Sequence, residues 1–294
     1  MSPALRGALW MVATVALSAS NIVCIRIAVE DVHPFVVAFF RNALALAMLL
    51  PWLLASRTFR LPVQALPLHV VRAVFGLAAM LLFFIAVHRT AMAEATALTQ
   101  TAPLFATLGA VLILKESAGP RRWIGVVIGF AGALLIIRPG VEAISLGALS
   151  ALVAALFIAA DWLLLKPITR VDTTRVVVTW LTVLMTPLSL ACALFVWQTP
   201  KLATMPWLVA LAMTATLGQA TATRAFAATE VSYLALFDFF RLVFVAAIGF
   251  LAFGETLDMG TGIGAAVIVL AGAFAASREA RASPPPAKPD GPSS

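Results

Sequence analysis

The fold of this chain is decided by ATALTQTAPLFATLGAVLILKE at residues 95–116 and by LALFDFFRLVFVAAIGFLAFGE at residues 234–255. Each is an apolar stretch of helical length that ends in a glutamate, Glu116 in the first and Glu255 in the second. The shift of 139 residues between these glutamates also aligns Phe105 with Phe244, Leu112 with Leu251, Ile124 with Ile263 and Gly125 with Gly264. An internal repeat of apolar segments is typical of membrane proteins built from two similar halves.

The composition excludes a soluble globular domain. Hydrophobic residues make up 62% of the 294 residues, charged residues only 11%, and the mean hydropathy is +1.03. A helix of about 20 apolar residues crosses the hydrocarbon core and satisfies its own backbone hydrogen bonds. Runs of that length predict ten transmembrane helices, over 5–28, 34–55, 66–88, 91–114, 121–138, 145–165, 173–197, 205–226, 230–253 and 258–277.

The distribution of Lys and Arg predicts the orientation, because positively charged loops stay in the cytoplasm. With the N-terminus inside, the cytoplasmic segments carry Arg6, Arg57, Arg60, Lys115, Arg121, Arg122, Lys166, Arg170, Arg175, Arg278, Arg281 and Lys288. The other side carries Arg26, Arg89, Arg138 and Lys201. Both termini are therefore predicted to be cytoplasmic, and the basic composition needs no nucleic acid to explain it.

Five helices in each half give the two halves opposite topology. We predict an all-α membrane protein whose ten transmembrane helices form two inverted-topology five-helix repeats, over 1–140 and 141–278. Residues 279–294 are rich in Pro and Ser, which predicts a disordered cytoplasmic tail. Two inverted halves provide two conformations of similar energy that open to opposite sides, which indicates a carrier.

Several motifs resemble the EamA-type carriers of the drug/metabolite transporter superfamily. They are Phe40-Arg41-Asn42-Ala43, Ala97 to Glu116 followed by Trp123-Ile124-Gly125 and Gly129-Phe130-Ala131-Gly132, and Ala235 to Glu255 followed by Gly262-Ile263-Gly264. The resemblance implies a central cavity lined by helices 1, 3, 4, 6, 8 and 9, with helices 5 and 10 at the periphery. The second copy departs from the first at Leu242, which stands where the first has Pro103.

Polar residues inside the spans are the candidates for the cavity, because they are costly in lipid. Helix 1 carries Trp10, Thr14 and Asn21 at helical spacing, and helix 4 carries Thr99 and Gln100 just before Pro103. Pro103 frees a backbone carbonyl that a substrate could use. The alternative for both helices is packing between helices by small polar residues.

Helices 8 and 9 add the second half's candidates. Gln219 lies on a polar face of helix 8, while Tyr233 and Phe237 are aromatic residues on helix 9 beside Asp238 and Arg241. Arg241 suits a substrate carboxylate, and Asp238 is the candidate for coupling to protons. The alternative is that Asp238 and Arg241 neutralise one another within the helix.

Other charged residues in the spans have structural explanations. Arg41 and Arg72 are expected to extend toward the interface. Asp161 aligns with Asn21, because Gly7-Ala8-Leu9 matches Gly147-Ala148-Leu149. Asp161 is expected to bind Lys166 or Arg170, and the alternative is that Asp161 and Asn21 form a symmetric gate pair. Glu116 and Glu255 are expected to cap or stabilise the ends of the repeats. The glycines of helices 5 and 10 suit close packing or a homodimer surface, which the sequence leaves open.

No phosphate-binding loop, zinc-protease motif or nucleophile elbow is present in the sequence. We therefore expect no enzyme activity, no cofactor and no metal site. We predict a secondary transporter of the cytoplasmic (inner) membrane that moves small metabolites by alternating access, with amino-acid export as the main reading. The alternative is an uptake carrier for a vitamin or nucleotide-like metabolite, and a channel or an intramembrane enzyme is the rival from another class.

Overall fold

The computed structural model describes residues 3–55, 64–113, 115, 120–137, 145–168, 170–172, 174–228, 240–256 and 258–282. These residues form α1 (Pro3–Asp31), α2 (Pro34–Ala55), α3 (Leu66–Arg89), α4 (Met92–Thr99), α5 (Ala102–Leu112), α6 (Pro120–Ile137), α7 (Leu146–Ile168), α8 (Thr174–Leu194), α9 (Met205–Ala228), α10 (Phe240–Phe253) and α11 (Met259–Ala282). The all-α membrane fold is therefore confirmed. α11 continues to Ala282, past the boundary at 278, and residues 283–294 of the predicted tail lie outside the described part.

Predicted helix 4 is divided into α4 and α5, which together still form one apolar span, Met92–Leu112. The division falls at Gln100 and Thr101, because Pro103 has no N–H to donate to the carbonyl of Thr99. Within the described residues, six spans are long and apolar enough to cross a membrane. Three shorter apolar helices, Trp123–Ile137, Arg241–Phe253 and Met259–Ala271, belong to α6, α10 and α11.

The packing of the helices follows the internal repeat. α1 packs on α9 and α3 packs on α7. At the shift that relates the halves, α1 corresponds to α7 and α3 to α9, so these two contacts are counterparts of one another. α2 packs on its counterpart α8, and α6 packs on its counterpart α11. This pattern is expected of two halves related by a pseudo-two-fold axis in the membrane plane.

Small residues let these helices approach closely. Ala28, Ala73, Ala86, Ala95 and Ala151 are fully buried in the main core, which joins α1 to α4 with α7 to α11. Between α6 and α11, Gly132 and Gly264 face each other. A Cβ on Gly264 would lie 2.5 Å from the carbonyl oxygen of Gly132, and a Cβ on Gly132 would lie 2.8 Å from that of Gly264. The pair therefore fixes the distance between the two helices, as glycines do in membrane interfaces.

Two carboxylates tie loops to helix starts at opposite ends of the fold. Asp172, after α7, accepts hydrogen bonds from the backbone N–H of Gln64 (3.0 Å) and Ala65 (3.1 Å), and its Oδ2 lies 3.0 Å from Nε2 of His69. Asp31, at the end of α1, binds Lys201 and accepts a hydrogen bond of 2.6 Å from Oγ1 of Thr204, just before α9. Because α1 corresponds to α7 and α9 to α3, the two clamps are equivalent across the repeat.

Both clamp carboxylates are stabilised in the ionised form. Burial acts to raise the pKa of Asp172, but the hydrogen bonds from Gln64, His69 and Ala65 outweigh it and hold that pKa below its usual range. Lys201 and Thr204 likewise engage both carboxylate oxygens of Asp31. Sequence reasoning missed both clamps, because their partners lie more than a hundred residues away.

Replacing Gly264 by Ala should destabilise the protein by about 1–3 kcal/mol, because the new methyl group meets backbone atoms of α6 that cannot move independently. The measurement is the thermal unfolding temperature of the purified protein in detergent. Gly262→Ala, on the same helix with nothing within 4 Å of the added Cβ, is the matched control and should not lower it. Equal effects of the two substitutions would show that the glycine contact does not limit helix approach.

Replacing Asp172 by Asn should lower the unfolding temperature at pH 7, because an amide cannot accept from all three donors; the loss corresponds to about 1–3 kcal/mol. A carboxylate with a lowered pKa contributes stability above its unfolded-state pKa of about 3.9, and this contribution is lost as pH falls through the lower folded-state value. The difference in unfolding temperature between wild type and Asp172→Asn should therefore be constant above about pH 4, and it should shrink below that pH. Glu30→Gln, at a side chain that is 57% exposed, is the control. A difference that does not change with pH would contradict the ionic role of Asp172.

Candidate functional site

The polar stripe of helix 1 faces α9. The guanidinium of Arg224 lies 4.9 Å from the ring centre of Trp10, which is half-buried. Thr14 donates to Thr221 at 2.9 Å, and both residues are buried. Asn21 donates to the carbonyl of Leu211 and to Oγ1 of Thr214, each at 2.9 Å. In this structure Thr14 and Asn21 therefore join two helices, which is the packing role that the sequence left open.

A second polar contact joins the two halves at the break between α4 and α5. Nη2 of Arg241, in the first turn of α10, donates to Oε1 of Gln100 at 2.6 Å. Both side chains are half-buried. Oγ1 of Thr99 instead bonds back to the carbonyls of Thr96 (2.8 Å) and Ala95 (3.1 Å) in its own helix. The structure thus brings Gln100 and Arg241 together from positions that the sequence assigned separately.

This contact lies near the middle of the membrane. At about 1.5 Å per residue, Gln100 is about 12 Å along the helix from Met92, and Arg241 is about 18 Å from Phe253. Met92 and Phe253 lie at the same end of the fold, since Glu255 accepts a hydrogen bond of 2.9 Å from the N–H of Met92. A hydrocarbon core about 30 Å thick places both side chains at about half depth. Carriers of this architecture bind substrate at that depth, often beside an interrupted helix.

The end of the repeat at Glu255 ties together helices from both halves. Besides accepting from Met92, Glu255 lies 3.6 Å from Nε of Arg26. Arg26 also donates to the carbonyl of Val87 at 2.8 Å, so α1, α3, α4 and α10 meet at this point. Glu255 was expected to cap or stabilise the end of its repeat, and the structure shows that it does so by binding the start of α4, whereas Glu116 lies outside the described residues. A small cavity beside it is lined by Ala91, Ala93, Glu94, Ala246, Glu255, Thr256, Asp258 and Thr261.

Two arginines that were expected to extend toward the interface have partners inside the bundle. Arg72 lies 3.0 Å from Asp161, Nε to Oδ1, and its Nη2 donates to Oδ2 at 3.3 Å. Asp161 therefore pairs with Arg72 on α3, whereas the sequence predicted Lys166 or Arg170 as its partner; the side chain of Lys166 lies outside the described part of the chain. Arg41 lies 3.1 Å from Oδ1 of Asn42 and 3.1 Å from Sδ of Met80. Snorkelling was wrong for both because each finds a polar or polarisable partner across a helix contact.

The remaining candidate residues from the sequence are either exposed or outside the described part of the chain. Gln219 is exposed on α9. Tyr233, Phe237 and Asp238 lie outside the described residues, so their assignment to the cavity and the coupling role of Asp238 stay predictions. In the described part of the chain, no group of three or more His, Cys, Asp or Glu side chains could hold a metal ion. The polar chemistry described at half depth is that of an amide and a guanidinium.

Comparison with known proteins agrees with this architecture. The model of the EamA-like transporter family matches residues 5–138. A riboflavin transporter of Vibrio cholerae is 33% identical over 95% of this chain and 95% of its own length. A riboflavin transporter of Rhizobium johnstonii is 33% identical over 97% of this chain and 96% of its own length. An S-adenosylmethionine uptake transporter of Rickettsia bellii is 24% identical over 93% and 94% of the two chains.

A solved crystal structure shares the fold, with a TM-score of 0.64 and 20% identity, covering 94% of this chain and 98% of the other. Similarity at that level of identity supports the fold alone, whereas the full-length relatives at 33% identity establish the family. The protein is a membrane transporter and not an enzyme. It belongs to the EamA-like transporter family, within the drug/metabolite transporter superfamily.

Proposed function

We propose that this protein is a secondary carrier that takes up riboflavin or a closely related flavin by alternating access. The observation that carries the proposal is the similarity, over nearly the whole chain, to two proteins named riboflavin transporters. Amino-acid export, the main reading from the sequence, finds no support among these relatives. Its alternative, uptake of a vitamin or nucleotide-like metabolite, is the reading that they favour.

The contact between Gln100 and Arg241 suits a flavin. A flavin ring offers carbonyl oxygens and an imide N–H at one edge, and its sugar-alcohol chain offers hydroxyls. Gln100 offers an amide that can both donate and accept, and Arg241 offers the N–H donors of a guanidinium. Hydrogen-bonding groups at half depth in an apolar bundle therefore match the polar edge of a ring whose faces are apolar.

A cationic substrate fits this place less well. The S-adenosylmethionine transporters among the relatives are only 24% identical to this chain, and their named substrate carries a positive sulfonium. Arg241 is a permanent positive charge at half depth, where the low dielectric strengthens repulsion between like charges. A neutral heteroaromatic substrate is therefore favoured over a cationic one.

Alternating access would move the two halves, 1–140 and 141–278, against each other. The match of the family model to residues 5–138 and the symmetric helix contacts support this division. The excess of Lys and Arg on one side supports cytoplasmic termini and residence in the cytoplasmic membrane. The small-molecule substrate and the lipid bilayer are then the partners that the function requires, while a homodimer remains a hypothesis.

Binding of riboflavin to the purified protein tests the substrate class. Flavin fluorescence should change saturably on addition of protein in detergent, and unlabelled ring analogues that lack the sugar-alcohol chain should compete. A panel of amino acids and S-adenosylmethionine should not compete. Saturable binding of a panel member, in the absence of riboflavin binding, would contradict the proposal.

Replacing Arg241 by Gln should weaken riboflavin binding by roughly 10- to 150-fold, because a hydrogen bond to a charged group contributes about 1.5–3 kcal/mol. Gln100→Ala should weaken it in the same direction. The measurement is the dissociation constant from the fluorescence titration, with the unfolding temperature as the check on folding. Arg89→Gln, at an exposed arginine that ends α3, is the matched control and should bind as wild type does. Unchanged binding in well-folded Arg241→Gln would exclude this contact from the site.

A further inference from the structure

The contact between α3 and α7, here called the α3–α7 seam, contains an ion pair inside the bundle. Nε of Arg72 lies 3.0 Å from Oδ1 of Asp161, and the side chains are only 10% and 17% exposed. Both residues lie about two turns from the ends of their helices, within membrane spans. Charged side chains in such positions are expensive, and they mark ion and proton pathways more often than structural contacts.

The internal repeat shows that packing does not require this charge. Asp161 corresponds to Asn21 at the shift of 140 residues that aligns Gly7 with Gly147, and Arg72 corresponds to Leu211 at the shift of 139 residues. Asn21 and Leu211 are also in contact, since Nδ2 of Asn21 donates to the carbonyl of Leu211 at 2.9 Å. The same fold therefore builds the equivalent seam, α1 on α9, with an amide and a leucine at the corresponding positions.

This comparison separates a structural role from a functional one. Burying an ion pair costs desolvation that the attraction between the charges often only balances, and apolar or neutral replacements of similar size are frequently as stable. A neutral solution is present in the other half of this chain. The charges at the α3–α7 seam therefore add something other than packing, and the group that distinguishes the two seams chemically is a carboxylate that can bind a proton.

The side chain of Asp161 is partly exposed, and its charged neighbours can be identified. A methyl group on Gly76 would still lie 3.6 Å from Oδ1 of Asp161 and 3.8 Å from Sδ of Met185, so there is space beside the carboxylate. From α3, Arg72 faces it directly, and His69, one turn away, is engaged with Asp172.

Among the side chains that the structure describes, the other helices near the seam contribute no further charge there. α5 contains no titratable residue, and Glu94, the acidic residue of α4, lies in its first turn and accepts from Thr90. Met185 and Leu181 are the side chains that α8 places near Gly76. Among the described residues around the seam, Arg72 is thus the charged group in direct contact with Asp161.

We propose that Asp161 is the proton-binding site that couples transport to the proton gradient, with Arg72 as its counter-ion. This inference rests on the proposed uptake function, since it names the ion that drives that uptake. Ionised Asp161 holds α3 and α7 together through Arg72. A proton taken up from the aqueous phase neutralises the carboxylate and weakens the seam, and release of the proton on the other side restores it.

The symmetry of the chain supplies the decisive variant. Asp161→Asn combined with Arg72→Leu gives the α3–α7 seam the residues found at the equivalent α1–α9 seam. Because neither charge is left without its partner, the double variant should fold with an unfolding temperature close to that of wild type. Each single variant leaves one buried charge unpaired, so the single variants do not carry the test.

The measurement is riboflavin transport into proteoliposomes with and without an imposed pH gradient. Wild type should accumulate riboflavin above the equilibrium level when the gradient is present. The double variant should still exchange riboflavin between the two sides, and its gradient-driven accumulation should be lost. Asp31→Asn, which removes a carboxylate paired with the exposed Lys201 at the end of α1, is the control and should keep its response to the gradient. Accumulation by the folded double variant, or wild type that ignores the gradient, would overturn the proposal.

A second readout does not depend on the substrate. Infrared difference spectra recorded across a pH titration should show the C=O band of a protonated carboxyl group in wild type, and the double variant should lack it. Presence of this band in wild type and its loss in the variant would support the proton site even where riboflavin is not transported, and would then count against the proposed substrate alone. An identical titration in both proteins would overturn the assignment of the proton to Asp161.

Discussion

The contact of α1 with α9 and its counterpart, α3 with α7, is the constraint on which the rest of the structure depends. Each contact joins helices from different halves, so neither half can complete its own packing. Inside lipid, helices do not gain from hiding apolar surface from one another, and close approach and hydrogen bonds must hold them together. The buried alanines, the facing Gly132 and Gly264, and the hydrogen bonds of Thr14 and Asn21 supply that cohesion.

The same constraint explains where irregular backbone is tolerated. Division of the fourth span at Gln100 and Thr101 leaves carbonyl groups that α-helical bonds do not satisfy, and lipid cannot satisfy them either. This break lies at half depth and faces Arg241 of the other half. A single proline, Pro103, therefore creates polarity at the place where we propose that the substrate is recognised. Leu242 stands at the corresponding position of the second half, so the two halves differ at their common site.

Much of the fold could be predicted because hydropathy and the internal repeat are visible in the sequence itself. The spans follow from apolar runs of about 20 residues, and the inverted halves follow from the similarity of residues 95–116 to residues 234–255. The partners of individual polar residues could not be predicted in this way. Arg72 finds Asp161, 89 positions along the chain, and Gln100 finds Arg241, 141 positions along the chain. Aligning Asp161 with Asn21 placed both on equivalent helix contacts, but the identity of their partners required the three-dimensional structure.

The division between stability and function also becomes clear at the level of charges. Asp31 and Asp172 stabilise loops at the ends of the bundle, and hydrogen-bond donors engage both of them in this structure. Arg72, Asp161 and Arg241 lie inside the bundle, where charged side chains are costly and usually functional. The proposed substrate class rests on the relatives, and the proposed roles in recognition and coupling rest on the positions of these three residues.

Counterflow tests the central claim, a flavin carrier with alternating access, most directly. Proteoliposomes loaded with unlabelled riboflavin are diluted into a trace of labelled riboflavin, and the label inside is followed over time. A carrier should concentrate the label transiently above its external level, because unlabelled riboflavin leaving the vesicles returns empty sites to the outside. Entry that only approaches equilibrium would indicate a channel, and absence of any saturable entry would contradict the flavin assignment.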